Sequence, residues 1–131
     1  VTPIPITLGA AGLLGLIYLA LTVAVVRGRI TKKILLGDGT DTGAADLRAP
    51  IRAHANFAEY VPLALILLGG LEIAGVPRWL LLLLAAMLVV GRLLHPFGMA
   101  RPAPNLYRAG GAILTWTMIG IASIAAVAIA L

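Results

Sequence analysis

Cysteine is absent from the chain, and with it go disulfides, thiolate metal sites and a protein thiol nucleophile. Charge is nearly as scarce. Only 11% of the 131 residues are charged, against about a quarter in a soluble domain, too few to cover a water-facing surface. Histidine occurs twice, and His54, His95 and Glu59 fall on faces that do not converge, so no metal site is expected. What fills the chain instead is apolar, with 61% hydrophobic residues and a mean hydropathy of +1.06. That composition places the chain in a membrane, and its length allows about four spans of roughly 20 residues each. The net charge of +5 does not point to nucleic acid. Its basic residues flank the apolar runs, as topology signals and headgroup contacts do.

The apolar runs set the organisation. Ile6 to Val26 carries no charge and is followed, not preceded, by Arg27 and Arg29, so it reads as a true span rather than a secretory signal. Residues 27–48 form the long polar loop, with Gly37, Gly39 and Gly43 as turn formers and Asp46 as the expected N-cap of the second helix. The second span runs from about Leu47 to Ala74, with Pro62 inside it and a kink expected just past Glu59. Gly75-Val76-Pro77 makes a short connection, so the third helix, Arg78 to about Pro96, is an antiparallel neighbour. Pro102 and Pro104 force a further loop before the fourth span, which starts between Asn105 and Arg108 and continues to Leu131. The fold class is therefore all-α, a four-helix antiparallel membrane bundle formed by residues 1–131 as one domain.

Within the second span, Arg52, Asn56 and Glu59 stand at i, i+4 and i+7 and share one stripe. Such a stripe is costly in lipid unless it faces protein, water or ligand. At about 1.5 Å per residue, Glu59 lies roughly 15–20 Å from the start of its helix, deep enough to need a cation, and Arg52 and Arg92 are the candidates. The stripe reads either as a binding site or as an ion-pair network that fixes packing. His54 points away from it and reads as a packing residue. Arg92 and His95 share a face of the third helix and are either site residues or snorkelling ones. Arg108 is either a site residue or a topology signal. Nine of the ten basic residues lie in or beside loops one and three; Arg78 alone is on the other side. The positive-inside rule then puts both loops in the cytoplasm and both termini outside.

The run Arg52-x-His54-x-Asn56-x-x-Glu59-x-x-Pro62, together with Gly91-Arg92-x-x-His95 and a basic residue opening helix four, resembles the MAPEG family. These are the membrane-associated proteins in eicosanoid and glutathione metabolism, and the chain looks most like a small bacterial member in an inner membrane. The resemblance covers nearly the whole chain. It implies a homotrimer with glutathione as co-substrate, held between subunits at the cytoplasmic side, and transferase or peroxidase action on lipophilic electrophiles from the bilayer. By position it assigns Arg27, Arg52, Asn56, Glu59, Arg92 and His95 to glutathione binding, and Arg108 to the place of the catalytic arginine near the sulfur. The chain departs from the family's prostaglandin synthase at Ala55, Met99, Ala109 and Ala112, where that enzyme carries hydrogen-bonding side chains. Prostaglandin synthesis is therefore not expected. The alternative expectation is a non-catalytic trimer that binds a lipid or a partner protein.

Overall fold

The computed structural model describes residues 2–131 and contains four long helices: α1 (Pro5–Lys32), α2 (Arg48–Ile73), α3 (Arg78–Met99) and α4 (Leu106–Ala130). Each is long and apolar enough to cross a membrane. Two short 3-10 turns, Thr40–Thr42 and Ala45–Leu47, lie in the loop between α1 and α2. The expected four-helix arrangement is therefore present.

Local chemistry fixes the helix ends. Pro5 occupies the first turn of α1, where its missing N–H costs nothing. The other orphan donors of that turn are met from a distance: the Glu72 carboxylate accepts from the Ile6 N–H at 2.9 Å and the Thr7 N–H at 2.7 Å. At the end of α2, Gly75 takes a φ of 78°. Val76 and Gly75 donate back to the Leu71 and Glu72 carbonyls, closing the helix and reversing the chain.

The expected cap at Asp46 does not form. The helix begins at Arg48 without a side-chain cap, and Asp46 instead pairs with Lys32 at 2.6 Å. The 3-10 turn over Ala45–Leu47 carries Asp46 ahead of the cap position, and the basic end of α1 takes its carboxylate. Helices α2 and α3 continue without a break through Pro62 and Pro96.

Contacts between named residues give the topology. Ile6 and Thr7 meet Glu72, Asn56 meets Arg92, and the start of α4 lies against the end of α3. Successive helices are thus antiparallel. Both α2 and α3 pack against the three other helices, and the core between them is Leu14, Phe57, Leu68, Leu84, Leu88 and Met118. The outward surface is rich in Leu, Ile and Val, as a lipid-facing surface requires. The molecule has two distinct ends: a terminal end at Glu72 and Arg78, and a loop end at Arg52, His95 and Arg108.

Candidate functional site

The closest helix contact sets the site. Glycines let α3 and α4 approach to backbone distance: a Cβ on Gly111 would lie 2.7 Å from the Gly91 carbonyl, and one on Gly98 would run into the Arg108 backbone. Only residues without a Cβ allow this approach. Asn105 then locks the junction. Its Oδ1 accepts from the Arg108 N–H at 2.9 Å, the expected geometry of an N-cap, while its Nδ2 donates to the Gly98 carbonyl at 2.9 Å. The backbone of Arg108 is therefore held on both sides.

The Arg108 guanidinium is not held. Among the described residues it has no hydrogen-bond or ion-pair partner, and it borders two clefts at once. One, of about 470 Å³, is lined by Asn56, His95 and Arg108 with an apolar wall that includes Ala109, Ala112, Ile113 and Trp116. The other, of about 410 Å³, is lined by Ala45, Arg48, Ala49, Arg52, Met99 and Arg108.

Arg92 works behind the first cleft. It is 2% exposed, and its Nη1 donates to the Asn56 Oδ1 at 2.8 Å while its Nη2 donates to the Gly111 carbonyl at 3.3 Å. One guanidinium so joins α2, α3 and α4. Its Nε is buried without a partner. With the Asn56 oxygen engaged by Arg92, the amide nitrogen of Asn56 remains free to donate to another group. His95 is buried beside it at the cleft.

The structure thus brings Asn56, His95 and Arg108 to one cleft, places Arg52 at the adjoining one, and puts Arg92 behind the first in a supporting position. It does not gather Arg27 or Glu59. Arg27 is exposed on α1 and borders neither cleft. Glu59 is not the buried partner of Arg92: its side chain is 53% exposed and lies 3.9 Å from that of Arg52, itself 55% exposed. The reason is rotational. Arg92 meets α2 on the face that carries Asn56, whereas Glu59 is turned outward.

His54 is on the opposite side, where its Nε2 lies 3.1 Å from the Thr22 hydroxyl and its ring stacks on Tyr18. That is a packing role between α1 and α2. Sequence reasoning passed over Arg48, the cap at Asn105 and the Gly91–Gly98–Gly111 seam. Asn105 just ahead of an apolar run was a readable cap signal. The glycines at 91 and 98 are seven apart, so they share a face of α3.

The comparisons with known proteins agree with this architecture. The MAPEG family profile matches residues 7–128. "Inner membrane protein YecN" of Escherichia coli K12 is 32% identical over 106 residues, covering 81% of this chain and 78% of that protein. The protein of the same name from Escherichia coli O6:H1 strain CFT073 gives the same figures. No solved structure matches the chain. A family profile spanning all four helices, and relatives covering most of the chain, place this protein in the MAPEG family.

Proposed function

We propose that the protein is a membrane thiol transferase that uses glutathione against lipophilic electrophiles or peroxides, with Arg108 as the residue next to the sulfur. The observation that carries the reading is the unpartnered Arg108 guanidinium, fixed at its backbone and set between a basic cleft and an apolar one. Glutathione presents two carboxylates, an ammonium and a thiol. Arginine offers forked donors to carboxylates, and the Asn56 amide can donate to a peptide carbonyl.

A guanidinium beside the sulfur favours the thiolate over the thiol. The thiol proton leaves to water, and the thiolate attacks an electrophilic carbon, expelling the leaving group with its electron pair. The wall of Ala112, Ile113 and Trp116 suits an electrophile arriving from lipid.

The outward positions of Arg27, Arg52 and Glu59 support assembly as a homotrimer. Glu59 lies roughly 16 Å along α2, and a carboxylate at that depth is stable only against protein or water. In this reading the loop end faces the cytoplasm of a bacterial inner membrane, in keeping with the basic loops.

One observation favours a second reading. Alanines at 109 and 112 leave the first cleft short of donors for a polar ligand, which suits a trimer that binds a lipid or a partner without turnover. Steady-state turnover of glutathione with a chloronitrobenzene separates the two. The transferase reading expects measurable turnover and a loss of about tenfold or more in Arg108→Leu, since one unit of thiol pKa is a tenfold change in the ionisation equilibrium. The oligomer mass should be unchanged. No turnover in the parent protein would favour the binding trimer.

A further inference from the structure

Arg48 has no place in the motif that relates the chain to its family, yet it borders the same pocket as Arg52 and Arg108. Arg48 and Arg52 are four apart on α2, so they stand on one face, where like charges destabilise a helix. Arg108 approaches from the start of α4, which is fixed by the Asn105 cap and the Gly98 contact. Three arginines from two helices therefore line about 410 Å³, and their charges repel one another.

Two carboxylates approach this group, and neither lines the pocket. Glu59 reaches Arg52 only at 3.9 Å, and the field of Arg48 on Asp38 is weaker than Asp38's own bonds to Thr40. The remaining lining, Ala45, Ala49 and Met99, offers no side-chain acceptor. A cluster of three cations whose nearest carboxylate is the loosely paired Glu59 is complementary to an anion with several oxygens.

We propose that this pocket binds the carboxylate end of the thiol co-substrate, with Arg48 as a specificity-determining residue that selects acidic thiols over neutral ones. This rests on the transferase reading. Arg108 then divides the ligand: one side of its guanidinium faces the acid groups beside Arg48 and Arg52. The other faces the cleft of Asn56 and His95, where the sulfur and the lipophilic substrate meet. Glutathione, with two carboxylates, is of the right class; a thiol amine or an esterified peptide thiol is not.

The test uses S-methylglutathione, which keeps both carboxylates but cannot react, and its diethyl ester, which has neither charge. Binding to full-length protein in zwitterionic nanodiscs is measured by calorimetry for the parent and Arg48→Gln. Arg48 is exposed, so the substitution should leave the thermal midpoint unchanged. The expected result is about tenfold weaker binding of the diacid in Arg48→Gln, equal binding of the diester by both proteins, and partial recovery of diacid affinity in Arg48→Lys.

Equal diacid binding by parent and Arg48→Gln would overturn the role of Arg48 while leaving the transferase reading intact. A parent that binds neither compound would remove the transferase reading and this inference with it. If phosphatidylglycerol in the nanodiscs stabilised the parent but not Arg48→Gln, with diacid binding unaffected, the pocket would hold a lipid headgroup and the proposal would be wrong.

Discussion

The two ends of the bundle handle charge in opposite ways. At the terminal end the carboxylate of Glu72 is fully used. It takes two backbone N–H groups of α1 and so fastens the start of α1 to the end of α2. At the loop end cations outnumber carboxylates, and Arg48, Arg52 and Arg108 border a pocket with one loose ion pair among them. Helix positions there are fixed by glycine contacts, the Asn105 cap and the buried Arg92 guanidinium that joins α2, α3 and α4, not by the three arginines of the pocket. The difference separates charge that holds the fold from charge that the fold holds ready for something else.

The sharpest way to break that comparison is to disturb the glycine seam. Gly98→Ala would drive a methyl into the Arg108 backbone, and overpacking of this kind should cost roughly 2–3 kcal/mol. Gly110→Ala, one turn into α4 with open space around it, should be neutral or slightly stabilising. Thermal unfolding in detergent compares them. Equal midpoints would mean that the close approach of α3 and α4 does not position Arg108.

Next in size is the contrast between two glutamates. Glu72→Ala removes two hydrogen bonds to a charged acceptor and should cost about 2 kcal/mol. Glu59→Ala removes only a long, exposed pair and should cost less than about 1 kcal/mol. Denaturation of the two variants side by side checks this. That figure is for the protomer; a larger loss at Glu59 would mean that the neighbouring subunit covers the pair with Arg52, as the homotrimer reading allows.

How far the sequence carried the reading follows the range of the forces involved. The four helices were legible because hydropathy and breakers are local: the apolar runs, Gly75 and Pro102 mark spans and turns by themselves. The stripe of Arg52 and Asn56 was legible from helical spacing, and Arg108 from its place at the opening of α4. Partners were not.

The Glu72 clamp joins residues 66 and 65 apart in sequence, and no local pattern announces it. Arg52 and Arg92 were both candidate partners for Glu59; Arg52 lies 3.9 Å from it, while Arg92 meets Asn56 because rotation about α2 decides which side chain faces α3. Gly9, Gly12 and Gly15 stand three apart on α1 but have nothing beside them in the protomer, while Gly98 and Gly111 carry the tight contact.

The smallest expected effect lies in the first loop. Asp38 is held below the usual carboxylate range, first by the Thr40 hydroxyl and then by the Thr40 amide. A depressed folded-state value means that this local order is complete above the ordinary aspartate range and is lost as pH falls through the lowered one. Amide exchange at Thr40, followed at decreasing pH after correction for the intrinsic rate, should show protection lost only in that acidic window. Asp38→Asn should lose the protection at every pH.

The central claim is that the unpartnered Arg108 guanidinium exists to stabilise a thiolate, and the most direct measurement is the ultraviolet absorbance of that thiolate on adding glutathione at neutral pH. The parent protein should develop a thiolate band that saturates with glutathione, and Arg108→Leu, with its oligomer intact, should show none. A parent without the band at saturating glutathione, or an Arg108→Leu variant with the band undiminished, would contradict the account.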